Sequence, residues 1–312
     1  MNNTVTSFTK KYLKSPFVWI GLLYLLTVKG HIEVIDTAYS IRTAEALIES
    51  GSMRIHPVDK EFTKFSVIPT EDGMIYSQFG LGLPVLFIPF ITFGKLVAMI
   101  LDQPQEILVA FVLSFYNVPF ALLGLWFFKG ILLKLGRREK QANATLTLVA
   151  IGTAYWPYTV TDFSEITQVA FLLGSLHSVL LNDQRKWCYF SLWFALLTLV
   201  KLAFLILLPL FLAYALHENR KCFIGQIKSM LHSGIFLFPM GIALAYANYA
   251  RFGNILESGY GANPGFGFGI NYFLKTALPS IISLDYGIIL FNPILLTFPL
   301  WRKTFQANKQ FA

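Results

Sequence analysis

A few residues carry the chemistry this chain could perform, and the first of them is Asp36, which opens IDTAYSIRTAEALIESGSMRI. Ala38, Ile41, Ala44 and Ile48 recur at helical spacing, and Gly51 follows as a stop, so this stretch reads as an amphipathic helix lying at a surface. Asp36 is then either the N-cap of that helix or a general base placed at the end of an apolar span, and the two roles are compatible. Asp162 and Glu165 share the turn TVTDFSE, three residues apart, and face one way if the turn begins a helix. Capping is the simpler role for Asp162, and Glu165 is placed to line a cavity. Lys201 interrupts an apolar run in LTLVKLAF. Arg42 lies on the solvated face of the first helix, where pairing with Glu45 or Glu49 competes with any contact to substrate. The segment RFGNILESGYGANPGFGFGINYF suits a loop that covers a substrate, so Glu257 and Tyr260, with Tyr76 from the earlier loop, are candidate contacts.

The elements that must position these residues are membrane spans. Of 312 residues, 55% are hydrophobic and 13% charged, about half the charge of a soluble domain, and apolar runs recur from end to end. The net charge of +8 sits in short clusters between those runs, which fits bilayer orientation better than a nucleic-acid surface. The N-terminal lysines before Pro16 suit a retained signal anchor. Cys188 and Cys222 lie near basic clusters, so no structural disulfide is expected.

With the basic clusters placed in the cytoplasm, each consecutive pair is separated by an even number of crossings. The run from 81 to 101 carries Pro84 and Pro89 and is expected to lie along or dip into the outer face, so that residues 29–106 form one large external loop. Segment 187–216 is expected to form two short helices meeting at an outer apex near Lys201. The expectation is an all-α polytopic membrane protein of about eight transmembrane helices, its first external loop carrying membrane-parallel helices, with both termini cytoplasmic and the plasma (inner) membrane as its location.

The order of these segments resembles a known family. A short N-terminal span, an early external acid with its helix, YSQFGLGLPVLFIPF, WPYTVTDFSEITQVAFLL, LTLVKLAFLILLPL and YARFGNILESGYG with GIILFNPILL together resemble the type C superfamily of polyprenyl-phosphate-sugar-dependent membrane glycosyltransferases. This superfamily includes the protein mannosyltransferases and the aminoarabinose lipid A transferases. The resemblance covers nearly the whole chain in order, as a single domain over 1–312. It implies inverting transfer of a sugar from a polyprenyl-phosphate carrier to an acceptor hydroxyl on a lipid, glycan or protein at the external face. Asp36 matches the family's base, Glu165 its second acid, and Lys201 and Arg42 are the cations that would steady the phosphate. One base suits inversion, since phosphate leaves with little acid help.

The chain departs from that pattern in places. Gln78 stands where relatives usually have Lys, Ile166 where Pro is common, and LDYGI replaces a basic stretch near Asp285. The sequence stops after its eighth expected crossing, as a truncated product, a minimal enzyme or an inactive relative would. A transporter or lipid flippase is the competing class, but its hallmark internal repeats and midplane charges are not evident; a non-catalytic partner in envelope polysaccharide assembly is another. A divalent cation stays open as a cofactor: His31, Glu33, His56 and Glu61 could ligate one, although no tight spacing calls for it and no metal site is assigned.

Overall fold

The structure, a computed structural model, describes residues 15–56, 67–69, 74–183, 185–218, 223–257, 259, 270–283, 288–291 and 295. They are mostly helical. In chain order come α1 (Pro16–Thr27), α2 (Ile35–Ser50), the strands β1 (Arg54–Ile55), β2 (Val67–Pro69) and β3 (Ile75–Ser77), then α3 (Gly82–Leu101), α4 (Gln105–Ser114) and α5 (Asn117–Lys134). There follow α6 (Glu139–Gly152), α7 (Tyr155–Thr159), α8 (Glu165–Val179), α9 (Lys186–Val200), a 3₁₀ helix (Leu202–Leu207), α10 (Leu208–Glu218), α11 (Phe223–Phe252), α12 (Ile270–Ile282) and α13 (Ile288–Phe291).

Three stretches are long and apolar enough to cross a bilayer: Gly82–Leu101, Gln105–Lys134 and Ile227–Phe252. Large side chains such as Phe93, Met99, Ile100, Phe238 and Tyr246 stand exposed along them, which suits lipid as the surrounding solvent. Helix α3 changes the sequence expectation. Pro84 and Pro89 were to break this run, yet α3 is one helix of 20 residues, about 30 Å long. Pro84 falls in its first turn, where a missing N–H has no helical acceptor to lose, and Pro89 is carried inside. Its prolines therefore no longer argue for a surface position. The run expected from 142 to 160 is instead divided: α6 ends at Gly152, and the Thr153 hydroxyl accepts from the Tyr155 N–H at 3.1 Å to restart the chain as α7.

Helices α5, α8, α9 and α11 pack in succession, while α2 lies along α3. Phe87, Ile91, Leu113, Tyr116, Phe171, Phe190 and Phe194 fill the main core. A second core gathers Ile20, Tyr24, Leu125, Leu146 and Ile166, where the Tyr24 hydroxyl donates to the carbonyl of Ala150 at 2.8 Å. Between α2 and α3 the three strands form an antiparallel sheet in the order β1-β3-β2, with Arg54 opposite Tyr76 and Ile55 opposite Ile75.

The buried face of α2 is only in part the aliphatic one that its spacing suggested: Ala44 is buried in the main core and Ile41 packs on it, but hydroxyl-bearing residues make up most of the rest. Thr37, Tyr39, Ser40, Thr43 and Ala44 are buried, and Ile48 is exposed. Small side chains let the helix approach its neighbours closely, and the hydroxyls of Ser40 and Thr43 donate to the carbonyls of Asp36 and Tyr39, both at 2.9 Å. Gly51 does end the helix, in the left-handed conformation at φ 66°.

Candidate functional site

Asp36 sits in the first turn of α2 but does not cap it. The cap position belongs to Val34, whose side chain has nothing to offer the exposed N–H groups. The chain entering the helix is held instead from a distant part of the sequence. The buried carboxylate of Asp162 accepts from the backbone N–H of Glu33 at 3.2 Å and of Val34 at 2.9 Å, and its carbonyl accepts from the Thr37 hydroxyl. The turn that presents Asp162 is itself held by the start of α5. Asn117 donates to the carbonyls of Thr161 and Phe163, both at 2.8 Å, and the Tyr116 hydroxyl donates to Phe163 at 2.8 Å.

Asp36 is consequently free for another use. Among the described residues nothing hydrogen-bonds its carboxylate. The group is open at the surface, yet the protein crowded around it raises its carboxyl above the ordinary aspartate value, and the influence opposing that rise is the charge of Lys201. The charge of a second sequence candidate, some 165 residues along the chain, thus acts on Asp36.

Lys201 arrives there on a hairpin. Trp187 packs on Tyr214 with ring centres 6.3 Å apart, and Phe190 on Phe211 at 4.7 Å, so α9 and α10 run antiparallel about a break at Lys201. Lys201 takes an extended conformation there, with its side chain exposed. The apex rests on the YSQFGLG turn. A Cβ on Gly80 would lie 2.8 Å from the carbonyl oxygen of Leu199, and one on Gly82 only 2.5 Å from the Leu199 carbonyl carbon and 2.7 Å from the Val200 Cα. Both positions require glycine because the two backbones touch.

The far side of the same turn is fixed by Arg251, in the last turn of α11, which sequence reasoning did not single out. Its buried guanidinium donates to the carbonyls of Ser77 at 3.1 Å and Phe79 at 2.9 Å, and to the Asn248 side chain at 3.1 Å. The available signal was an arginine closing a long apolar helix, a place where such a residue needs acceptors. Gln78 is buried between these anchors, and a Cβ on Gly259 would come within 3.2 Å of its Cα.

The other candidates do not converge on Asp36. Glu165 begins α8 and is exposed, whereas Asp162 is buried, so the two acids do not share one environment. Arg42 lies six residues beyond Asp36, about 9 Å along α2 and on another face. It lines a pocket of about 230 Å³ with Glu45, Glu49, Arg54 and His56. Glu49 pairs there with Lys95 of α3 at 2.9 Å, which lowers its carboxyl, while burial raises that of Glu45 against the pull of Arg42. Tyr76 is buried in β3, its hydroxyl accepting from Arg54 Nε at 2.9 Å. Glu257 accepts from the N–H of Gly259 at 2.9 Å, and Tyr260 lies outside the described residues.

Comparison with family models, with curated proteins and with solved structures finds no match. The site is therefore read from its own geometry. Among the described residues no group of three His, Cys, Asp or Glu side chains gathers as a metal would need. Glu33 instead pairs with Lys29 and with His31, which lower its carboxyl, and Glu61 lies outside the described residues. What the arrangement offers is a carboxylate with no hydrogen bond among the described residues, its proton affinity raised by burial, and a lysine whose charge acts on it.

Proposed function

We propose that this chain transfers a sugar from a polyprenyl-phosphate carrier to an acceptor hydroxyl at the external face of the membrane, by inversion, with Asp36 as base. The observation that supports the reading is a partly desolvated Asp36, without a hydrogen-bond partner for its carboxylate among the described residues, in the field of Lys201 at the break of the α9–α10 hairpin. A base is most effective when its proton affinity approaches the working pH, and burial moves Asp36 in that direction. Asp36 takes the proton of the acceptor hydroxyl as the oxygen attacks the anomeric carbon from the face opposite the phosphate. The bond from that carbon to the phosphate oxygen breaks, and the polyprenyl phosphate leaves with the electron pair. Lys201 stabilises the charge that gathers on the phosphate. Glu165, exposed at the start of α8, orients sugar hydroxyls in this reading. The donor's prenyl chain lies in the bilayer beside about eight spans, both termini face the cytoplasm of a plasma membrane, and the acceptor is a lipid, glycan or protein.

Native mass spectrometry of the purified protein and its Asp36→Asn variant tests this without prior choice of substrate. The expected result is a co-purifying polyprenyl-phosphate sugar, enriched in the variant, which binds the donor without consuming it. Ordinary phospholipid as the sole adduct of both proteins would overturn the donor assignment.

A further inference from the structure

The polar pocket beside α2 has no part in the transfer chemistry above. Arg42, Glu45, Ala46 and Glu49 follow one another three and four residues apart along one stripe of the helix, and Arg54 and His56 line the other side. Ala46 is the small member of the stripe, and the hollow of about 230 Å³ opens between its charged neighbours. The walls are tied together. Ala46 packs on the buried cluster of Tyr39, Ile55 and Ile75, and the Arg54 Nε donates to the Tyr76 hydroxyl at 2.9 Å, which joins β1 to the helix and to β3. The two carboxylates differ in their partners. Glu49 is paired with Lys95 at 2.9 Å. Glu45 is half-buried, and among the described residues its carboxylate has no hydrogen bond or ion pair; nor has the exposed guanidinium of Arg42, one turn away.

A carboxylate drawn partly out of water without a donor is costly, and an occupant bearing hydroxyls supplies one. The charges call for an anion as well. With Glu49 neutralised by Lys95, the two cations Arg42 and Arg54 face the single carboxylate of Glu45, and one negative charge on the occupant restores the balance. Because Arg42 and Glu45 are neighbours on the helix, the anionic group and the hydroxyl they meet must be close together, as on one sugar ring. The volume lies below the roughly 300–1,000 Å³ of pockets for drug-sized ligands, which also suits a single ring. We infer that this pocket binds a sugar acid, a hexuronate unit either free or at the end of a glycan, with its carboxylate on Arg42 and its ring hydroxyls on Glu45 and His56. A guanidinium donates to both oxygens of a planar carboxylate, and an imidazole can give or take a hydrogen bond from a hydroxyl. Glu45 lies nine residues, about two and a half turns, beyond Asp36 and so on the opposite side of α2. The site is therefore separate from the proposed transfer chemistry, and either can fail alone.

Saturation-transfer NMR titration of the purified full chain, in a sugar-free detergent, tests this. The ligands are glucuronate, its methyl glycoside as the glycan-end form, glucose for hydroxyls without charge, acetate for charge without hydroxyls, and glycerophosphoglycerol for the hydroxylated phosphodiester of a lipid headgroup. The better of the two sugar acids is expected to bind about tenfold or more tightly than each of the other three, the worth of a charge-assisted hydrogen bond. Binding of the glycoside equal to or tighter than that of glucuronate assigns the glycan end, and weaker binding assigns the free acid. Arg42→Gln should remove the advantage over glucose. Glu45→Ala should narrow the advantage over acetate, since only the hydroxyls use that carboxylate, and Ala46→Leu should fill the hollow and weaken every ligand, with unfolding temperatures confirming that each variant folds. Sugar acids bound no more tightly than glucose or acetate, tighter binding of glycerophosphoglycerol, or sugar-acid binding unchanged in Arg42→Gln or in Ala46→Leu would overturn the inference.

Discussion

Replacing Asp162 by alanine should release the start of α2, and with it Asp36. The carboxylate accepts two backbone N–H bonds, at 3.2 and 2.9 Å, and is itself buried. Hydrogen bonds to a charged group contribute about 1.5–3 kcal/mol each, so two amount to about 3–6 kcal/mol. Because the peptides of Glu33 and Val34 are only partly buried, water can serve them after the loss, and the lower end, about 3 kcal/mol, is the expectation. Asn retains one acceptor oxygen without the charge, and should cost about half as much. If the clasp governs local opening, a loss of about 3 kcal/mol raises amide exchange by about a hundredfold. Hydrogen–deuterium exchange read on peptides covering residues 31–40, in detergent or nanodiscs, measures this directly, with Asp36→Asn as the control that should leave those amides protected. Exchange in Asp162→Ala within about threefold of wild type would refute the reasoning and return Asp162 to the list of substrate contacts.

Four further outcomes follow from the same geometry. Asp36 has its carboxyl raised from 3.8 by burial, so its ionisation costs folding stability; that penalty is absent below the ordinary value and grows as pH rises through the raised one. Asp36→Asn should therefore match wild type in thermal unfolding at acid pH and be at least as stable at neutral pH, with transfer abolished, and a variant weakened only at neutral pH would contradict this. In wild type, transfer should fall as pH drops through the raised value, because the base is then protonated. Gly82→Ala forces a methyl against the Leu199–Val200 backbone and should cost about 1–3 kcal/mol, measurable as a lowered unfolding temperature, whereas Gly51→Ala, with open space around it, should show only the strain of its left-handed backbone. Arg251→Met removes the donors to Ser77 and Phe79 and should expose the YSQFG segment to limited proteolysis, whereas Tyr76→Phe, which loses only the Arg54 bond, should leave cleavage near wild type.

The parts legible in the sequence were those fixed by local chemistry. Gly51 stops α2 because a left-handed residue there favours glycine, and a lysine amid apolar residues marked the break between α9 and α10. The parts missed depend on partners far along the chain. Apolar spacing placed Ile48 inside α2, but the surfaces α2 meets admit the small Thr37, Ser40 and Thr43 instead, and hydroxyls bonded to their own helix carry little polarity inward. Asp162 read as a cap for its own neighbourhood, but its carboxylate instead holds the backbone N–H groups of Glu33 and Val34, at the entry to a helix some 129 residues earlier, which no local pattern encodes. Pro89 read as a breaker by soluble rules, and α3 runs through it. Asp36, Lys201 and Glu165 were picked out by type and position, but the close backbone contact of Gly80 and Gly82 with Leu199 and Val200, next to Lys201, was not legible in the sequence.

That dependence on distant partners has a consequence for biosynthesis. When the chain emerging from the ribosome has passed Asp36, the carboxylate that anchors its helix is still 126 residues away, about 6–25 s of synthesis. Lys201 and then Arg251 come later still. A nascent chain halted before the turn at Asp162 therefore has Asp36 without the carboxylate that holds the entry to its helix.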